Sequence, residues 1–450
     1  MTNFVRESAM PVSADELYHW HARPGAFRRL TPPWERAEVI EDTGGIDDGA
    51  RKVIRVGPLR LRWVAVHEGH VEGCQFVDAQ QQGPFARWVH THRFVPDGRE
   101  GSRLVDDVEY SVPLGALGEL LAGRAIATKL DAMFAWRHRT TRADLAAHAR
   151  ARLEPMTIGI TGAGGLLGTQ LGAFLTTGGH TVVPIGRDRP YAEQGLERLD
   201  AVVHLAGETI SQRWNATSKA RILASRVDGT RAISEAIATS PRRPRVLVVA
   251  SAVGIYGDRG DDILNESSTR GVGFLSDVCS AWESSADPAR AAHVRVVHAR
   301  FAPILTPAGG ALKSMLPPFR AGFGARFGAG TQWMPWVSID DAAGAVHHAL
   351  ANPSIVGAMN VVAPRLVTNA EFTRILGRVL HRPTPLAMPR FAAQALFGEM
   401  AGPLFFDSAR VEPRVLTSTG YRFRDPELHE ALRALLGKAR GSEARYPATP

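Results

Sequence analysis

Lysine and cysteine are nearly missing from this chain. Of its 53 basic residues only Lys52, Lys129, Lys219, Lys313 and Lys438 are lysine, and Cys74 and Cys279 are its only thiols. Two cysteines exclude a disulfide framework and a cysteine-built structural zinc site, and they fit a reducing compartment. No apolar run approaches the roughly 18 residues that a spanning helix takes. The opening residues MTNFVRESAMPVSADELYHW lack the basic-then-apolar layout of a secretory signal. A cytoplasmic protein with no membrane insertion is the simplest expectation. One further absence bears on chemistry: of Tyr18, Tyr110, Tyr191, Tyr256, Tyr421 and Tyr446, none is followed four positions later by lysine.

What is present is ordinary for a globular protein, with 44% apolar and 22% charged residues. The length of 450 residues suits two or three domains. A net charge of +8 comes from dispersed arginines rather than basic runs. That reads as a solvated surface, not a nucleic-acid footprint, and it suits a phosphorylated ligand.

Residues 146–156, AAHARARLEPM, separate two textures. Before them lie short alternating strands with a helix at each end; after them a strand-then-helix rhythm repeats. This predicts an α+β unit followed by an α/β unit. In the first, Ser13 and Glu16 have the spacing of a capping box, which places a helix over 14–22. In LRLRWVAVHEG, Leu59, Leu61, Trp63 and Ala65 alternate with Arg60, Arg62 and Val64, the period of a half-buried strand. Further strands are expected over 71–79, 84–95 and 103–112, and a long helix over about 122–147. This order, with the opening AMPVSADELYHWHARPGAFRRLTPPW, resembles the helix-grip fold of the START-like polyketide cyclase and lipid-transfer (SRPBCC) superfamily. The resemblance covers 1–148 and implies a curved sheet around an apolar cavity, hence a hydrophobic ligand. His67, His70, His90 and His92 raise the question of metal, since residues two apart on a strand share a face. No matching third ligand is evident in the sequence, so no metal is expected.

The strongest motif is TIGITGAGGLLGTQLGAFL at 157–175. An apolar strand runs into Gly162, Gly165 and Gly168 and then a helix. Glycine is needed there for a tight turn, for approach of the backbone to a pyrophosphate, and for packing helix on strand. The helix N-terminus offers unpaired amides to phosphate. A second strand, Thr181 to Ile185, ends in Gly186-Arg187-Asp188. Arginine at this place suits the 2′-phosphate of NADP, whereas an acidic residue suits the ribose of NAD. NADP is the expected cofactor, with Asp188 keeping NAD in view. A third strand ends in Leu205-Ala206-Gly207, beside the crevice where open α/β sheets bind ligands. The fold class is therefore α/β, a Rossmann-type doubly wound parallel sheet with a small C-terminal subdomain, preceded by the α+β unit.

These motifs, with RWNATSKARILASRVDGTRAISEAI, SAVGIYGD, GFLSDVCSAWE, GAGTQWMPWVSIDD and PRVLTSTGYRF, resemble the atypical extended short-chain dehydrogenase/reductases called epimerase-family proteins, which end in a small domain of unknown function. The resemblance spans 156 to about 437 and divides it into a cofactor domain, 156–310, and a substrate or C-terminal subdomain, 311–437. It implies NADP(H) binding by Gly162, Gly165, Leu166, Leu167 and Gly168, by Gly186 and Arg187, by His204, Leu205, Ala206 and Gly207, and by Arg226. It names no substrate. Downstream, Ser338 with Asp341 and Thr368 with Glu371 predict caps for helices over 342–350 and 372–380.

A short-chain reductase moves a hydride while a tyrosine, its pKa lowered by a lysine one helical turn on, exchanges the proton. In FLSDVCSAWE the two places are held by Leu275 and Cys279, and neither can relay a proton in that way. Ser251, directly after the strand Val246 to Ala250, stands where a carbonyl-polarising serine belongs. Tyr256 and Glu208 are the replacement acids. For Tyr256 a packed loop aromatic is an equal alternative, Glu208 can instead hold ribose hydroxyls, and Glu266 can cap a helix. Two functions stay open: an NADP-dependent oxidoreductase or epimerase-like enzyme acting on a small molecule, and a non-catalytic NADP(H)-responsive binding protein.

Overall fold

The computed structural model describes residues 1–57 and 59–439. They fall into two compact units: Met1–Leu153 with Ala173–Gly179 and the chain from Arg433, and Glu154–Gly172 with His180–Leu432.

Alternation of inward and outward residues builds the first unit. Strands β1 (Thr2–Met10), β2 (Ala37–Asp42), β3 (Arg51–Val56), β4 (Leu61–Val71), β5 (Gln75–Gln82), β6 (Arg87–Asp97) and β7 (Gly101–Ser111) form one antiparallel sheet in the order β1-β7-β6-β5-β4-β3-β2. Along β7 every second residue from Ser102 to Tyr110 is buried, the period-two signature of a sheet with one covered face. Helices α1 (Ala14–Ala22), α2 (Ala26–Leu30) and α3 (Gly115–Ala151) belong to the same unit. Leu130 and Phe134 of α3 pack on Trp88, Val108 and Tyr110. Sheet and helices enclose a cavity of about 770 Å³, and Leu61, Trp63, Ala65 and His67 line it, so the alternation read in β4 marks its cavity face.

Two local expectations differ in detail. Ser13 accepts from the Glu16 amide at 3.3 Å, but the Glu16 carboxylate accepts from Arg23 instead of closing the capping box. Helix α3 begins well before residue 122, because its first turns expose Leu117, Leu120 and Leu121 and so show no amphipathic period.

The second unit is a six-stranded sheet in which every strand is parallel. It comprises β8 (Thr157–Thr161), β9 (Thr181–Ile185), β10 (Ala201–His204), β11 (Val246–Ala252) and the strands Arg295–Phe301 and Gly357–Val361. The spatial order, starting from the edge, is β9, β8, β10, β11, Arg295–Phe301, Gly357–Val361. The chain moves outward from β8 to β9 and then returns past β8 to β10, so the direction of winding reverses between β8 and β10. That reversal opens the crevice in which such sheets hold ligands. Helices α4 (Leu166–Thr177), α5 (Ala216–Thr239) and α6 (Phe274–Ser284) follow β8, β10 and β11. Ser338 accepts from the Asp341 amide at 3.1 Å and opens the helix Ile339–Ala351. Thr368 and Glu371 form a complete capping box on Asn369–Leu380. Both helices start three residues before the expected positions, because the residues between cap and apolar face are already helical. Among the described residues no helix is long and apolar enough to cross a membrane.

The first unit carries a buried ion pair: Arg29 of α2 donates from Nε and Nη2 to the two oxygens of Asp144 of α3, each at 2.7 Å. The side chains are 1% and 0% exposed. Arg29→Met takes this guanidinium from the buried Asp144 carboxylate, and a loss of about 3–5 kcal/mol is expected in the urea transition of this unit followed by tryptophan fluorescence. A loss below about 1 kcal/mol would contradict the role given to the pair.

Candidate functional site

The crevice between β8 and β10 is shaped by backbone. Gly162 has φ +68°, and a Cβ there would stand 3.1 Å from the Ala206 nitrogen. A Cβ on Gly168 would stand 2.2 Å from the Gly162 carbonyl oxygen, so only glycine lets α4 begin this close to the turn. The Gly165 amide closes the turn by donating to the Gly162 carbonyl at 2.9 Å. The amides of Leu166 and Leu167, the first of α4, have no carbonyl of a preceding helical turn to reach and are positioned for an anion. The Leu167 side chain is buried, whereas that of Leu166 lies at the rim, against Gly309 and Gly310. This is a cradle that side chains would fill, and it fits a dinucleotide pyrophosphate.

Across the crevice the end of β10 is held by a hydroxyl. Thr161 Oγ1 accepts from the amides of Leu205 and Ala206 at 3.1 and 3.2 Å, so its own proton goes to His204 Nδ1 at 2.8 Å. His204 is fully buried, and burial pushes its pKa down to about 4, which keeps the ring neutral. Its side chain thus supports the strand end from inside rather than facing the crevice. Gly207 is exposed, and the Arg226 guanidinium lies beside it, stacked over the Trp282 ring at 4.9 Å. Glu208 is half-buried, its amide donating to Ser225 Oγ at 3.1 Å.

At the end of β9, Gln194 clasps the backbone: its Oε1 accepts from the Gly186 amide at 3.0 Å and its Nε2 donates to the Gly186 and Arg189 carbonyls at 3.2 and 2.8 Å. Arg187 emerges from this clasp exposed and makes no ion pair among the described residues. It borders a hollow of about 690 Å³ lined also by Pro190, Tyr191, Ala232 and Ala236. An unpaired guanidinium at the end of this strand has the charge and donor fork that a phosphate takes.

The remaining candidates lie in a closed network at the carboxyl ends of the next strands. Ser251 of β11, Arg300 and Asn360 are successive partners across three parallel strands. Arg300 donates from Nε and Nη2 to Glu283 of α6 at 2.8 and 2.9 Å. Ser251 Oγ donates to the same carboxylate at 2.7 Å. Arg300 Nη1 also donates to Tyr256 Oη at 2.9 Å, and that hydroxyl is directed at Asn360 Oδ1, 2.8 Å away, and the Asn265 carbonyl, 3.0 Å away. Tyr256 is fully buried and Ser251 nearly so. Burial raises the Tyr256 pKa despite the Arg300 charge, opposite to what a proton relay needs. Burial also works against the Glu283 carboxylate, but its hydrogen bonds to Arg300 outweigh this and lower its pKa. Of the two roles open for Tyr256, this geometry is that of the packed aromatic. Glu266 accepts from the amides of Asn360 and Val415, both at 3.0 Å, the second in the first turn of the short helix Arg414–Ser418.

Glu283, Arg300, Thr161 and Gln194 were not singled out from the sequence. Glu283 had a signal, standing one helical turn beyond Cys279 and two beyond Leu275 on the same face of α6. Leu275 and Cys279 pack on Gly254, where a Cβ would stand 3.2 Å from the Leu275 Cβ and 4.0 Å from the Cys279 sulfur. Buried beside the negative Glu283, the Cys279 thiol is pushed up to about 12.

Comparison with known proteins follows the same division. The family model for the NAD dependent epimerase/dehydratase family matches residues 158–362, that for polyketide cyclase / dehydrase and lipid transport matches 10–134, and a domain of unknown function matches 388–435. An epimerase family protein of Mycobacterium bovis, Mb2239, is 39% identical over 290 residues, which cover 61% of this chain and 96% of the relative. The crystal structure of a nucleoside-diphosphate sugar epimerase from Corynebacterium glutamicum superposes with a TM-score of 0.81 at 32% identity, covering 98% of this chain and 91% of that one. The human epimerase family protein SDR39U1, solved with NADPH, gives a TM-score of 0.59 at 34% identity over 62% of this chain and 99% of its own.

The thiols provide a check on the closed network. A thiol with a pKa near 12 is ionised to about one part in ten thousand at pH 8, whereas Cys74 is exposed. Ellman's reagent on the native full chain is expected to label Cys74 quickly and Cys279 only after denaturation. Fast native labelling of Cys279 would show that the pocket around it is open.

Proposed function

The chain belongs to the epimerase family of its bacterial and human relatives, and from that membership we propose that its parallel-sheet unit binds NADP(H) and exchanges a hydride with a small molecule. The carrying observation is the pairing of the glycine cradle at the switch point with the unpaired Arg187 at the end of β9. The cradle suits the pyrophosphate and Arg187 the 2′-phosphate. The human relative solved with NADPH supports this choice over NAD. When bound, the cofactor supplies the hydride.

The chain's own residues do the rest. Gly162, Gly165 and Gly168 give room, the first amides of α4 receive the phosphates, and Arg226, flat on Trp282 beside Gly207, offers its donors at the mouth of the crevice. Ser251 and Tyr256 hold the floor through Glu283 and Arg300 rather than meeting substrate. Glu208, half-buried past the end of β10, is then the acid on the open side, and we assign the proton exchange to it. A nucleoside-diphosphate sugar is the first substrate class to try, since the Corynebacterium glutamicum relative that matches nearly the whole chain carries that name. The closure of Ser251 and Tyr256 favours one other reading, a protein that binds NADP(H) and a ligand without turnover, in which the cofactor reports redox state. The hydrophobic-ligand role of the first unit rests on its cavity of about 770 Å³.

NADPH is expected to bind more tightly than NADH by roughly 10–100-fold, as one charge-assisted contact of about 1.5–3 kcal/mol allows. Arg187→Ala should remove most of that difference while leaving NADH affinity unchanged. Equal affinities in the unaltered chain, by fluorescence titration, would overturn the NADP assignment. Turnover of a carbonyl compound or nucleotide sugar that Glu208→Gln abolishes, with NADPH affinity kept, supports the enzyme. Tight NADPH binding with no turnover across the panel selects the binding protein.

A further inference from the structure

The cavity of the first unit is lined mainly by apolar residues, with charged ones such as Asp42, Lys52, Lys129 and Arg137 among them. On its sheet side β4, β5, β6 and β7 bring five polar residues onto the same face. His67, Asp78 and His90 are directly opposite one another across β4, β5 and β6, and His92 is opposite Asp106 across β6 and β7. His67, Asp78, His90 and His92 all line the cavity. The sequence offered paired histidines without a third ligand; the strand register supplies Asp78. One ligand atom each from Asp78, His90 and His92 lie within 4.8 Å of one another. His92 Nε2 is 3.2 Å and His90 Nδ1 3.9 Å from Asp78 Oδ2.

A second carboxylate sits behind them. Asp106 Oδ1 accepts from His90 Nε2 at 2.9 Å and lies 2.8 Å from His92 Nδ1, and Oδ2 accepts from His138 Nε2 of α3 at 2.7 Å. Asp106 and both histidines are almost wholly buried. Asp106 accepts from His90 Nε2 and lies against His92 Nδ1, so the opposite nitrogens, His90 Nδ1 and His92 Nε2, are turned toward Asp78. Two ring nitrogens and a carboxylate oxygen that converge at this spacing are a donor set for a cation. In metalloproteins this is the arrangement of a ligating histidine and its outer carboxylate.

We propose that Asp78, His90 and His92 bind a divalent transition-metal ion on the sheet side of the cavity, with Asp106 orienting both imidazoles, and that the ion's open positions receive an oxygen of an apolar molecule held in the cavity. Two imidazoles and one carboxylate suit zinc or ferrous iron rather than calcium or magnesium, which take oxygen ligands. Three protein ligands leave coordination positions open, as in sites where a metal meets a ligand. His67 Nε2, 2.7 Å from Asp78 Oδ1, fixes the carboxylate from its other side. Trp63, Phe76, Trp88 and Met133 form the walls, so the molecule that fits is largely apolar and carries a carbonyl or carboxylate at one end. This site belongs to the first unit, and the nucleotide crevice to the second.

The test uses the full chain without an affinity tag, stripped with a chelator and then dialysed against limiting Co2+ or Zn2+. The expected result is one ion per chain by elemental analysis, with visible Co2+ absorption of a nitrogen- and oxygen-ligated site. Asp78→Asn, nearly isosteric, and His90→Gln should abolish binding, and Asp106→Asn should weaken it by roughly 10–100-fold. Circular dichroism and a retained urea transition of the first unit, followed by tryptophan fluorescence, report that each variant is folded. A wild-type chain that binds neither ion overturns the proposal and leaves a proton as the shared charge. Undiminished binding in folded Asp78→Asn or His90→Gln overturns it as well. Should both variants fail to fold, the wild-type chain decides through its histidine proton resonances: Zn2+ must perturb His90 and His92, and an unchanged spectrum overturns the site.

Discussion

At the carboxyl ends of the parallel strands, Glu283 and Arg300 hold each other through two charge-assisted hydrogen bonds, with side chains only 14% and 10% exposed. An arginine keeps its proton in proteins, so a guanidinium placed this deep requires a carboxylate, and the carboxylate in turn requires the guanidinium. The partners that complete them are also determined by this pair. Ser251 saturates one Glu283 oxygen, Tyr256 takes the last forward donor of Arg300, and Asn360 takes Tyr256. Helix α6, β11 and the strands Arg295–Phe301 and Gly357–Val361 are thereby locked at the edge where a reductase would carry its proton relay. The missing tyrosine–lysine pair is therefore not a gap in an otherwise open site. Its place is occupied by Leu275 and Cys279 packed on Gly254, over a network that keeps its hydroxyls to itself.

What could be read from the sequence was whatever depends on near neighbours. The strand, glycine turn and helix at 157–175 are contiguous, and so are the caps at Ser338 and Thr368; each is set by residues within one turn. The two units and their fold classes followed from the change between period-two and strand-then-helix patterning. The hydrogen-bond partners of Ser251, Tyr256 and His204 were not legible, because they are distant in sequence. Tyr256 meets Arg300 across 44 residues and Asn360 across 104. His204 belongs to an apolar strand whose end faces the crevice, and only the Thr161 hydroxyl, 43 residues away, turns its ring inward.

The first unit follows the same physics with different side chains. Asp78 lies between His67 and His90 because three antiparallel strands pair in one particular register, and a slip of one residue would send every member to the opposite face. A search for ligands at fixed sequence spacing does not find such a set, since each strand contributes at most two of its members. Each unit buries a cluster of charged and polar side chains. The set around Glu283 is complete within the protein, whereas the set around Asp78 opens onto a cavity and asks for a cation.

In the Glu283–Arg300 network the hydroxyl of Tyr256 is taken up by Arg300, Asn360 and the Asn265 carbonyl, which is a fold-holding geometry. The most direct measurement is the unfolding of Tyr256→Phe in the full chain alongside its NADPH affinity. A loss of about 1–3 kcal/mol is expected, since Arg300 and Asn360 each keep a buried polar atom without the Tyr256 partner, with an unchanged affinity. Unchanged stability with loss of turnover would contradict the fold-holding role and return Tyr256 to the reacting centre.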